Sequence, residues 1–123
     1  MNAKLFSEIR TRPARALQVY QVLIGLAYNR QTMTYGQVAK ILEYEGAGVF
    51  AGILDHIKHW CDQERHPALT TLIVNQTTGL PGEGFSTSTD LHAGREAVFG
   101  CNWFDIVPPT MEELSAAYIA GHK

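Results

Sequence analysis

Apolar residues return every three or four positions from Ala16 onward. Ala16, Leu17, Tyr20, Leu23, Ile24 and Ala27 form one stripe, the spacing of an amphipathic helix. Val19, Val22 and Leu26 widen that stripe, so the segment from about Pro13 to Asn29 is expected to be the central helix of the core. Pro13 suits the first helical position, where its missing N–H costs nothing, and it pushes Arg12 towards extended geometry. The first dozen residues read as a loosely held arm or short helix. After the polar connection Asn29-Arg30-Gln31, Thr34 and Gln37 spell a capping box, with each side chain reaching the other residue's backbone N–H. A short helix follows to about Leu42, with Val38, Ala39, Ile41 and Leu42 facing inward. Glu45-Gly46-Ala47-Gly48 breaks it. A longer helix runs from about Val49 to Glu64. It places Val49, Phe50, Ile53, Leu54, Ile57, Trp60 and Cys61 on the inner side and His56, His59, Asp62 and Gln63 mostly on the other.

The period then changes. Leu69 to Asn75 is rich in β-branched residues and reads as a strand. Gln76-Thr77-Thr78-Gly79 supplies a turn, and Leu80 to Phe85 returns as an edge strand, because Pro81 cannot donate to a ladder. Thr89 or Asp90 caps a fourth helix through about Phe99. Trp103 to Val107 is a short extended piece stopped by Pro108-Pro109, and Thr110 with Glu113 opens a last helix to about Ala120. The expected fold class is therefore mainly α with a small β-hairpin: a winged helix-turn-helix plus C-terminal helices. With no repeat, low-complexity tract or linker, residues 1–123 form one domain, with a winged-helix core at about 13–85 and a helical extension at about 89–121.

Composition narrows the class further. At 123 residues and 46% hydrophobic content, wholesale disorder is excluded. No apolar run approaches the ~18–20 residues of a membrane span, and the N-terminus has no apolar secretory core, so no membrane partner and a cytoplasmic address are expected. Two cysteines, Cys61 and Cys101, are too few for a disulfide framework and match no zinc spacing; both read as reduced thiols, Cys61 half-buried on its helix. The net charge of −2 conceals a segregation. Residues 1–40 carry six cations against one acid, a net +5, whereas residues 41–123 carry four cations against eleven acids, a net −7. Such polarity orients a molecule on an anionic partner through its N-terminal part.

Met33-Thr34-Tyr35-Gly36-Gln37-Val38-Ala39-Lys40-Ile41-Leu42, preceded by Val19-Tyr20-Gln21-Val22-Leu23, resembles the DNA-binding domain of the O6-alkylguanine-DNA alkyltransferases and the alkyltransferase-like proteins. The resemblance covers roughly Ala16 to Phe85 and implies a winged-helix DNA-binding protein, with the segment Gly46 to Leu54 as recognition helix. The family's reactive cysteine lies in a Pro-Cys-His-Arg stretch, where this chain reads His66-Pro67-Ala68-Leu69. A thiol is needed to accept an alkyl group, and Ala68 has none; the resemblance therefore implies DNA binding without catalysis. The family also places basic residues on its recognition helix, and Ala47 to Ile53 contains none.

The expected DNA contacts are accordingly dispersed. Arg12 and Arg15 at the start of the first helix, Arg30 after it, and Lys40 supply phosphate-neutralising charge, with Arg10 and Lys58 as further cations. Gly36 allows close backbone approach, and the free N–H groups of Tyr35 and Gly36, next to Thr34, are placed to contact a phosphate. Phe50 is a candidate apolar wedge between bases, though a core aromatic by its spacing, and Thr77 and Thr78 at the hairpin tip graze the minor groove. Asp55, Asp62 and Glu64 repel phosphate, and a pI of about 6.2 lies below the basic range of stand-alone DNA binders. The alternative is a winged-helix protein–protein interaction module with no nucleic-acid role, using Pro81, Gly82 and Phe85. His56, His59 and Asp62 at helical spacing, with His66, do not complete a metal set, and Gly79 to Gly84 lacks the lysine of a phosphate loop. No cofactor, metal or enzymatic activity is expected.

Overall fold

The structure, a computed structural model, describes residues 5–9, 11–43, 47–75 and 88–121. A 3₁₀ turn at Phe6–Glu8 leads into α1 (Arg12–Tyr28), followed by β1 (Met33–Thr34), α2 (Tyr35–Leu42), α3 (Ala47–Glu64), a 3₁₀ turn at Leu69–Leu72, β2 (Ile73–Val74), α4 (Ser88–Gly100), a 3₁₀ turn at Trp103–Asp105 and α5 (Met111–Gly121). The molecule is mainly helical with a small two-stranded sheet, as the sequence pattern led us to expect. Among the described residues, no helix is long and apolar enough to cross a membrane.

The central helix begins one residue before Pro13. Thr11 is its N-cap, and the hydroxyl oxygen accepts from the Ala14 N–H at 3.4 Å. Arg12 is therefore helical rather than extended: the cap chemistry of Thr11 outweighs the steric bias that a proline places on its predecessor. Ala16, Val19, Tyr20, Leu23 and Ala27 are buried as their spacing requires, and α1 touches every other helix. It ends where the Asn29 side chain donates to the Gly25 carbonyl at 3.0 Å and Arg30 turns left-handed (φ 55°).

In α2 the expected capping box is present in both directions, Gln37 N–H to Thr34 Oγ1 at 3.1 Å and Thr34 N–H to Gln37 Oε1 at 2.9 Å. Val38 is its buried anchor, whereas Ile41, expected to face inward, is exposed. In α3 the inner face from Phe50 to Cys61 is buried as expected. His56 departs from expectation. It is 3% exposed rather than outward-facing, because α5 packs along that side of α3 and also reaches α1, burying its own Leu114 and Ala117. The C-terminal helix thus shares the central core.

The segment expected as a strand from Leu69 to Asn75 is a 3₁₀ turn followed by two strand residues. Leu69 and Leu72 are both fully buried, and a 3₁₀ turn puts residues three apart on one side, where a strand would split them between faces. Nor is its partner a hairpin neighbour. β2 pairs in parallel with β1, Met33 opposite Ile73 and Thr34 opposite Val74. The expected return strand Leu80–Phe85 lies outside the described residues. Trp103 to Asp105 is a 3₁₀ turn rather than extended; it drives the Trp103 ring inward, where Nε1–H donates to the Val98 carbonyl at 2.8 Å. Helix α4 starts at Ser88, so Thr89 and Asp90 lie inside it rather than capping it. The Thr110–Glu113 box opens α5 as expected, with both reciprocal bonds at 3.0 Å.

Candidate nucleic-acid interface

The turn from β1 into α2 gathers three of the expected contact residues, Thr34, Gly36 and Lys40, beside Gln37 of the capping box. Thr34, Gly36, Gln37 and Lys40 line an open depression of about 270 Å³. The ladder with β2 fixes the entry to this turn, and the capping box fixes its exit. The Thr34 hydroxyl oxygen accepts from Gln37, which leaves its O–H available as a donor. Gly36 is exposed, and a side chain there would meet only the Thr34 hydroxyl, at 4.0 Å. First-turn N–H groups have no intrahelical acceptor, so the turn presents donors where an anion can approach closely. Lys40 lies one helical turn further on, exposed and without an ion pair among the described residues. Tyr35 is half-buried, its ring edge-to-face with Phe50 at 5.9 Å and 84°. That contact settles Phe50, which is 3% exposed and part of the core; its ring is not on the surface where a base wedge would act.

The arginines separate into two kinds. Arg15 Nη1 donates to Gln18 Oε1 and to the Leu42 carbonyl, both at 3.1 Å. It is thus a tie between α1 and the end of α2. Arg30 leaves the α2 region altogether: its Nη2 donates to both carboxylate oxygens of Glu96, at 2.7 and 2.9 Å, and its guanidinium lies 4.8 Å over the Phe99 ring. Arg12 has no hydrogen bond or ion pair to any described residue; its guanidinium rests beside Gly52 of α3. The Arg15–Leu42 bond brings the first turns of α1 to α2, so Arg12, Lys40 and the Gly36 turn belong to the α1–α2–α3 side of the molecule. Thr77, Thr78 and Arg10 lie outside the described residues. The exposed residues of α3 among those described, Ala51, Lys58, Asp62, Gln63 and Glu64, with half-buried Asp55, carry a net charge of −2.

The chemistry elsewhere is closed. Cys61, expected to be half-buried, is fully buried. Burial first, then the neighbouring Asp62 and Cys101, push its thiol up to about 12 against a hydrogen bond at Leu69. It is protonated and shielded at neutral pH, the opposite of a nucleophilic thiolate. Cys101 is half-buried, and burial raises its thiol too. Tyr20 meets Trp60 edge-to-face at 5.6 Å, and burial pushes the phenol up to about 12. His56 is stacked under α5, and His59 lies against Gly121. No group of three or more potential metal ligands occurs among the described residues.

Sequence reasoning missed two features of the surface. One is Gly52 as the seat of Arg12, signalled only by a glycine inside a helical pattern. The other is an exposed aromatic pair, Tyr28 (75% exposed) and Phe104 (61%), edge-to-face at 5.6 Å; Tyr28 ends the α1 stripe and carries no signal of a partner so far along the chain. In comparisons with known proteins, no family model, curated protein or solved structure matches this chain.

Proposed function

We propose that this protein is a non-catalytic winged-helix DNA-binding module of the alkyltransferase-like kind, holding the sugar–phosphate backbone at the β1–α2 turn. The observation that carries the reading is the depression at that turn, where exposed Gly36, the Thr34 hydroxyl and Lys40, with no ion pair among the described residues, converge. Backbone amides, a hydroxyl and a lysine are the usual phosphate contacts, and they position a protein on a duplex without reading its sequence. Alanine in place of the reactive cysteine, together with the closed Cys61 thiol, supports binding without alkyl transfer.

Arg12 and Lys40, which make no ion pair among the described residues, imply modest affinity with a log-affinity against log-salt slope of roughly −2, or about tenfold weakening between 50 and 200 mM salt. The test is fluorescence anisotropy of a labelled duplex at those two salt concentrations, with Lys40→Gln as control. Binding at 50 mM that weakens with salt, and whose slope Lys40→Gln flattens by about 1, supports the reading. No binding at 50 mM overturns it.

The exposed Tyr28–Phe104 pair favours a second reading, a protein–protein interaction module. Paired exposed rings, with exposed Val107 three residues after Phe104 in the chain, resemble the aromatic anchors of protein interfaces. A protein that ignores the duplex at low salt leaves this reading standing.

A further inference from the structure

Between Ala47 and Ile57, helix α3 has no lysine or arginine of its own. A cation nevertheless lies on it. The Nη1 and Cζ atoms of Arg12 stand 3.5 and 3.8 Å from the point a Cβ of Gly52 would occupy, and apart from its chain neighbours and the helix's own backbone no other described atom lies within 4 Å of it. Arg12 is exposed and bonded to no described residue, unlike Arg15, held by the Leu42 carbonyl, and Arg30, held by Glu96.

We infer that Arg12, although carried by α1, is the phosphate-binding cation of the α3 surface, and that Gly52 is the residue that seats it there. The inference rests on the DNA-binding reading above and specifies which residues make that grip on α3. Three observations converge. A guanidinium with five donors and no acceptor among the described residues is matched to the bidentate geometry of a phosphodiester. Arg12 occupies the first turn of α1, where a cation opposes the helix dipole. No acid among the described residues offsets it, and an anionic ligand would. Glycine inside a helix is unfavourable relative to alanine, and the space left by the missing side chain is where the guanidinium lies. A methyl group there makes ordinary contact with Arg12; a longer side chain displaces it.

The experiment measures a labelled duplex binding to the full chain across a salt series, with Arg12→Gln, Gly52→Gln, their combination, and Gly52→Ala, each checked for native helicity by circular dichroism. Arg12→Gln is expected to flatten the log-affinity against log-salt slope by about 1. Gly52→Gln is expected to do the same, the double variant to lose nothing more, and Gly52→Ala to bind as the parent does. A parent chain that binds duplex while Arg12→Gln leaves slope and affinity unchanged overturns this inference and spares the DNA reading. Failure of the parent to bind overturns the DNA reading itself. If Gly52→Gln weakens binding equally without Arg12, the seat assigned to Gly52 is wrong. Should Gly52→Gln not fold, the comparison of Arg12→Gln with the parent still decides.

Discussion

The imidazole of His56 lies flat on the ring of Tyr118, with 4.2 Å between centroids and 13° between planes. Its Nδ1 is 2.8 Å from the Gly52 carbonyl, and N–H donation there fixes the ring along the α3 axis while α5 closes over it. A stack between two helices distant in sequence is a measurable coupling. Tyr118→Leu, which retains apolar cover, is expected to lower stability by about 0.5–1.5 kcal/mol. In a double-mutant cycle with His56→Leu, most of that loss should vanish. Urea midpoints of the four proteins decide; additive losses mean that the two rings contribute separately.

Arg12 and Arg15, one turn apart, are expected to behave oppositely. Arg15→Gln removes the bond to the Leu42 carbonyl and unties α1 from α2, costing about 1 kcal/mol once its partial exposure is allowed for. Arg12→Gln removes an unpartnered cation from a helix N-terminus and leaves stability unchanged or raised by about 0.3–1 kcal/mol. Thermal melts of the two single variants are sufficient. Equal destabilisation would place Arg12 in the scaffold.

Local chemistry was what the sequence expressed best. The cap boxes at Thr34 and Thr110 need only residues three apart, and the buried face of α3 needs only the helical period. Contacts across the chain were not legible. Arg30 looked like a phosphate contact because Glu96 is 66 residues away, and His56 looked solvated because α5 is not visible from the α3 pattern. Leu69-Thr70-Thr71-Leu72 spells a strand by propensity, yet burying both leucines on one side requires the tighter turn. The Gly36 turn was legible because its chemistry is local; the position of Arg12 on α3 was not.

The Arg30 hydrogen bond, reinforced by its charge and that of His92, holds the Glu96 carboxyl below the usual carboxylate range, against a smaller opposing effect of desolvation. A group with a depressed folded pKa contributes stability above its unfolded pKa, about 4.3 for glutamate, and loses it as pH falls through the folded value. The expected outcome in a carbon-detected NMR titration is a Glu96 midpoint below that of a free glutamate. It should return to the ordinary value in Arg30→Gln. An identical midpoint in both proteins would show the pair open in solution.

For Cys61 the sign reverses. Its folded value of about 12 lies above that of an unfolded thiol, about 8.5. The contribution is complete below the unfolded value and is lost as pH rises from there towards the folded one. Urea midpoints should therefore fall between about pH 8.5 and 11, and more gently in Cys61→Ala, itself destabilised by its cavity. With a disulfide reagent at pH 8, half-buried Cys101 should react first and Cys61 only on unfolding. Rapid labelling of both thiols in the folded protein would contradict the closed site.

The pairing of Met33 with Ile73 and of Thr34 with Val74 has a consequence for the order of assembly. Two residues of ladder cannot hold a loop of about forty residues closed by themselves, since closure entropy grows with the enclosed length. The strands meet only after α3, which lies between them, has docked on α1 and shortened the span. The sheet is therefore a late latch, formed when the helices are already in place and lost when they part. The same latch fixes the entry to α2, so the Gly36 turn acquires its shape in the closing step of folding, and exchange of the amides that bridge β1 and β2 should report opening of the helical core rather than fraying of a strand.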